Sequence, residues 1–171
     1  MKKLLLVFVL LLSLVGCSSN EKKISVGVIQ LVKHDALDAA TNGFVETLEA
    51  EFGDDIIIDV QNASGDSATC ATIATNFVAD GYDLIMANAT PALQAAVHAT
   101  DSIPVLGTSV TEYGVALDID NFNGLVGTNV SGTSDLAPLD EQAQMIIDLI
   151  PSAKTIGLLY CSAEANSLYL V

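Results

Sequence analysis

The chain is 171 residues long, enough for one domain with a proper hydrophobic core and too short for two large ones. Its 21 acids stand against 6 bases, a formal charge of −15 that repels phosphate backbones and argues against nucleic-acid binding. All the bases are lysine, so the bidentate guanidinium clamp that usually grips a carboxylate or phosphate is missing.

The first residues read as an export signal. Met1-Lys2-Lys3 is positive, Leu4 to Leu12 is an unbroken apolar run, and Ser13-Leu14-Val15-Gly16-Cys17 closes it. The run is too short to span a bilayer comfortably, which takes roughly 20 apolar residues. Leu14-Val15-Gly16-Cys17 resembles the bacterial lipobox, and that resemblance implies cleavage after Gly16 and a lipid on the Cys17 sulfur. Residues 1–16 are then a signal peptide, and 17–23 a polar lipidated tether. With Cys17 acylated, Cys70 and Cys161 remain. They lie far apart in sequence, in different predicted units, and are expected to be free thiols.

Residues 24–134 are expected to form an N-terminal lobe. The β-branched run Lys23 to Gln30 is a buried strand. His34 or Asp35 then caps a helix with Leu37, Ala40, Phe44, Leu48 and Phe52 on one face. Ile56 to Val60 is a second strand, and a helix beginning at Gly65-Asp66-Ser67 leads to a third at Asp83 to Ala87. Thr90-Pro91 opens another helix, with Thr90 predicted as its capping hydroxyl. Ile103 to Gly107 is the fourth strand and Leu125 to Val130 the fifth. Strands alternating with helices, and apolar throughout, predict an α/β fold: a doubly wound parallel sheet with right-handed crossovers.

The pattern then restarts over 135–171. Pro138 to Ile150 is an amphipathic helix with Asp140 and Glu141 in its first turn, and Lys154 to Tyr160 reads as another core strand. Cys161 to Ser167 turns toward a last helix. Such a strand and helix without partner strands cannot bury their apolar faces. The pattern is that of one complete lobe, a hinge and the start of a second α/β lobe, with Thr155 to Val171 weakly protected.

On such sheets ligands bind beyond the carboxyl ends of the strands, where strand order reverses. The loops there are Gln30 to Asp35, Gln61 to Ser64, Ala87 to Thr90 and Thr108 to Thr111, rich in hydroxyls and amides with one histidine. No G-x-x-x-x-G-K-[ST] and no G-x-G-x-x-G follows a strand, which disfavours nucleotides, and no cofactor is expected. The acids of Asp118 to Gly124 are spaced like a calcium loop, yet Phe122 falls where an oxygen ligand is required and no Glu closes it, so no metal is expected.

Several segments together resemble the substrate-binding lipoproteins of ABC importers, in the branch associated with tryptophan and other aromatic amino acids. They are Val26-Gly27-Val28-Ile29-Gln30, His34 to Asp38, Gly43-Phe44, Gln61-Asn62-Ala63, Gly65-Asp66, Ala89-Thr90-Pro91-Ala92, Gly132 to Asp135 and Tyr160 to Ser167. The resemblance implies a type I periplasmic-binding-protein-like lobe, a two-lobed clamshell closing on a small ligand, and an ABC permease as partner at the outer face of the membrane. Family members continue through a full second lobe. The candidate site residues on the first lobe are Gln30, His34 and Thr90, with Ser109 and Thr111 following an apolar strand at the same edge. Across the cleft stand Glu164, Asn166 and Ser167, and Asp135 lies in the hinge; Asp135 or Glu164 would meet an α-ammonium. Each of these also has a structural reading as a cap or loop residue.

Two other classes stay open. An enzyme would need a nucleophile and base, but there are two histidines and no G-x-S-x-G elbow, so no catalytic residue is assigned. A sensory binding lipoprotein would use the same fold and ligand while signalling to a membrane receptor.

Overall fold

A computed structural model describes residues 22–171; the leader expected over 1–16, Cys17 and the expected tether up to Glu21 lie outside the described residues. Five strands, β1 (Ile24–Gln30), β2 (Ile56–Asn62), β3 (Leu84–Asn88), β4 (Val105–Val110) and β5 (Val130–Ser134), form one parallel sheet in the order β2-β1-β3-β4-β5. The helices are α1 (Asp35–Phe52), α2 (Ser67–Ala79), α3 (Thr90–Ala99), the single turn α4 (Tyr113–Ala116), α5 (Leu139–Leu149) and α6 (Ala165–Tyr169). The chain moves outward from β1 to β2, then crosses back to β3. Strand order therefore reverses between β1 and β3, as in the predicted doubly wound class.

Strand alternation sends side chains to two cores. Val26, Val28, Ile56 and Met86 pack beneath Phe44 and Leu48 of α1. On the opposite face Ile29, Ile85, Ala87 and Val105 meet Phe77 of α2 and Leu93 and Ala96 of α3. Gly27 allows the closest of these contacts, because a Cβ there would lie 2.5 Å from Phe77 Cδ2. The Phe77 ring, 1% exposed, therefore lies directly against the strand, with the Tyr82 ring 4.6 Å from it centre to centre.

Several expectations are corrected. The fifth strand is Val130–Ser134, not Leu125 to Val130: Gly124 and Gly127 hold φ of 92° and 76°, which break extended backbone before Val130. Lys154 to Tyr160 forms no strand. Among the described residues no neighbour offers it a ladder, and Ile156, Leu158, Leu159 and Tyr160 are all exposed. Thr90 is not the cap of α3. It occupies the first helical position, and Ala89 precedes it as a cap without a side-chain bond. His34 rather than Asp35 caps α1, its Nδ1 accepting from Ala36 N at 3.2 Å. The inner face of α1 centres on Thr41, which the apolar spacing passed over, whereas Phe52 is 38% exposed. Cys70 and Cys161 are both free, the first buried and the second exposed.

Candidate functional site

The apolar strands all turn polar at the same level. Asn62, Gln30, Asn88 and Thr108 are register partners across β2, β1, β3 and β4, a polar row along the carboxyl edge of the sheet. Backbone strain gathers just beyond it. Ser64 and Ala89, in the loops after β2 and β3, and Ser109, at the register shift within β4, hold positive φ of 54°, 90° and 54°. A non-glycine residue in that region costs on the order of 1–3 kcal/mol and persists where surrounding structure imposes it, most often at ligand sites.

Below this edge lies a buried polar network at the switch point. Gln30 Nε2 donates to Asp38 Oδ1 at 2.5 Å and to Val32 O at 2.9 Å, and Thr41 Oγ1 donates to Gln30 Oε1 at 2.7 Å. Asn88 Nδ2 donates to Leu37 O at 2.8 Å and to Thr41 Oγ1 at 2.9 Å. These bonds pin the first turns of α1 to the last residues of β1 and β3. Asn88 Oδ1 is the one fully buried side-chain polar atom without a partner among the described residues. An unpaired buried acceptor costs roughly 1–3 kcal/mol, a common cost at functional sites.

A second group joins the two parts of the chain. Asn166 of α6, 2% exposed, donates from Nδ2 to Thr90 Oγ1 at 3.0 Å and accepts at Oδ1 from Glu112 N at 3.2 Å. Its helix is fixed by Glu164, whose carboxylate accepts from Asn166 N at 3.2 Å and from Ser167 N. Ser167 Oγ accepts from Cys161 N at 2.8 Å. The structure thus brings Thr90, Glu164, Asn166 and Ser167 together.

The remaining candidates are spread along the same edge. Gln30 belongs to the buried network, and exposed His34 sits where β1 leads into α1. Ser109 and Thr111 flank the end of β4, where Ser134 Oγ donates to Thr111 O at 2.6 Å. Asp135 N donates to Val110 O at 3.1 Å, and its carboxylate faces solvent. Burial, helped by the Asp135 charge, pushes the Tyr113 hydroxyl up to about 12; that hydroxyl donates to Thr133 O at 3.2 Å. Thr41, Asn88 and Glu112 were missed from sequence. The signal for Asn88 is the polar row, visible only once the register is known.

A groove of about 380 Å³ beside β5, lined by Phe122, Leu125, Val126 and Leu136 among others, contains none of the nine candidates. It lies where β5 has no outer neighbour among the described residues. The carboxyl edge, in contrast, gathers amides, hydroxyls and positive-φ backbone at the switch point of the sheet.

The chain is similar to known proteins. Residues 25–171 match the family model described as ABC transporter substrate binding protein. The chain is 40% identical to a tyrosine-binding protein of Clostridioides difficile over 90% of its own length and 49% of that protein's. Among solved structures, it is similar to the ABC domain from Streptococcus pneumonia in complex with L-Trp, at 38% identity and a TM-score of 0.79, over 86% of this chain and 50% of that one. It is also similar to the ligand-free, open structure of a substrate-binding protein with adhesive properties from Clostridium difficile, at 43% identity and a TM-score of 0.68, over 85% and 50%. The chain spans about half the length of the relatives it matches. The chain belongs to the ABC transporter substrate-binding protein family.

Proposed function

We propose that this chain supplies the solute-gripping edge of an extracytoplasmic binding lipoprotein that serves an ABC importer. It takes a free amino acid, aromatic by preference, between the lobe 24–134 and the segment 135–171, and passes it to the permease. The carrying observation is that the relatives' named ligands, tyrosine and L-Trp, fall in one chemical class. The matched stretches include the carboxyl-edge loops of this chain.

The residues fit a zwitterion. With no arginine in the chain, the carboxylate is held by hydroxyls such as Thr90 and Ser109 and by the unpaired N–H groups in the first turn of α3. Glu164 is committed to capping α6, which leaves Asp135 as the acid for the α-ammonium. His34, exposed at the end of β1, is placed to stack on an aromatic side chain, and Gln30 and Thr111 shape the floor and rim.

Calorimetry with L-tryptophan, L-tyrosine and L-phenylalanine, against L-leucine, L-glutamate and D-ribose, tests the ligand class. Heat is expected from the aromatic amino acids. Binding of ribose with none of the amino acids would overturn the ligand while leaving the family untouched. The anchor is tested by labelled palmitate, expected in the wild type and lost in Cys17→Ala; equal labelling of both removes the lipid from the account.

A further inference from the structure

We infer that Asn166 is a positioning residue: its side-chain amide clasps the segment 135–171 to the first lobe and leaves the Thr90 hydroxyl as a free donor facing the cleft. The first half of the inference stands on the protein's own contacts; its use toward a carboxylate rests on the ligand reading above.

The amide cannot be turned around. Glu112 N is a backbone donor and can meet only an acceptor, so it selects Asn166 Oδ1 as its partner. Nδ2 must then face Thr90 Oγ1, and being a donor it occupies a lone pair of that hydroxyl. Thr90 therefore accepts from Asn166 and keeps its own proton. No described group accepts that proton: the Asn166 contact is the sole side-chain bond of Thr90 among the described residues. A hydroxyl that accepts one bond becomes a better donor for the next. Thr90 is 6% exposed at the carboxyl edge, so the acceptor it suits is an anionic oxygen that enters the cleft.

The clasp also accounts for the burial pattern. Leu168, Tyr169 and Leu170 are 49%, 43% and 41% exposed, and residues 151–160 are all exposed, yet Asn166 between them is 2% exposed. Partial apolar burial, with Tyr169 beside Val115, Ile119 and Phe122, does not account for this pattern. The Asn166 amide does, with Glu164 fixing the helix start so that the amide points inward.

Amide exchange measured by NMR on the full chain, with no ligand added, tests this. Slow exchange is expected at Glu112 N–H in the wild type. Asn166→Ala should speed it by about tenfold or more, and Thr90→Val, which removes one of the two bonds, by about threefold. Asn166→Asp still accepts from Glu112 and should keep its amide protected, while its carboxylate takes the Thr90 proton. Unchanged exchange at Ile29 and Ile85 shows that each variant is folded. Glu112 exchange as fast in the wild type as in Asn166→Ala, or lost protection in Asn166→Asp, overturns the clasp. Titration with L-tryptophan then separates the two readings. Slow Glu112 exchange without tryptophan binding supports the clasp and counts against the ligand. Binding that Asn166→Asp weakens more than tenfold supports both.

Discussion

The lobe 24–134 and the segment 135–171 are built from similar residues and end in different physical states. In the lobe, runs such as Val26 to Gln30 and Ile85 to Asn88 are buried because each has a strand on both sides and a helix across each face. In the segment, Ile156 to Tyr160 has the same apolar character, yet Leu159 is 102% exposed and α5 buries no residue. Hydrophobic character creates a demand for burial, and only neighbours satisfy it. The contrast separates the two kinds of contact that fix the site. The first lobe is held by apolar packing, and α6 meets it through a few hydrogen bonds.

The largest test of this contrast compares two large apolar side chains. Phe77→Ala should cost about 3–5 kcal/mol of stability, the usual loss for a core aromatic. Leu159→Ala should stay within about 0.5 kcal/mol, as exposed positions do. Urea unfolding of both variants reads this directly. A comparable loss at Leu159 would mean that the segment is packed in solution and the contrast is false.

A smaller effect sits at the junction. Tyr113 belongs to the lobe, and the Asp135 that opens the segment helps raise its hydroxyl to about 12. A tyrosine raised in the folded state above its unfolded value of roughly 10 contributes stability that is complete below pH 10. That contribution is lost as the pH rises toward 12. Alkaline unfolding should therefore show an excess loss in this window that Tyr113→Phe abolishes. Asp135→Asn should lower the hydroxyl's midpoint in an ultraviolet titration. No change in Asp135→Asn would show that the segment's first residue does not stay beside the lobe.

Fold class was legible because parallel strands buried on both faces read as continuous β-branched runs, and those from Ile24 to Val110 fell within a few residues of their places. The candidate site was legible as loops but not as contacts. Thr41 was hidden because helical periodicity counts apolar residues, and the centre of the α1 face is a hydroxyl satisfied by Gln30 and Asn88. Thr90 was misread as a cap because nothing in its spacing reveals that Ala89 takes a positive φ and moves the helix start by one. The strand expected at Lys154 to Tyr160 failed for another reason. The apolar run alone suggested β, but a strand exists only in a ladder. The nearness of Asn166 to Thr90, 76 positions away, is a tertiary fact that only coordinates reveal.

The direction of β1 has a practical consequence. The chain enters the sheet at the amino edge, where Lys22 Nζ donates to Asp83 Oδ1 at 2.6 Å, while Ser25 N and Oγ donate to Asp83 Oδ2 at 2.9 and 2.7 Å. These bonds hold the Asp83 carboxyl well below the usual carboxylate range. The candidate binding edge is at the far end of the same seven-residue strand, roughly 20 Å away at about 3.3 Å per residue. Anything that grips the protein upstream of Lys22, whether a bead, a sensor chip or a fused partner, takes hold of the floor and leaves the mouth turned outward. Attachment through residues after Val171 would instead load α6, the element carrying the single amide that draws the segment in. For immobilised measurements the two ends are therefore not interchangeable, and the amino end is the handle to use.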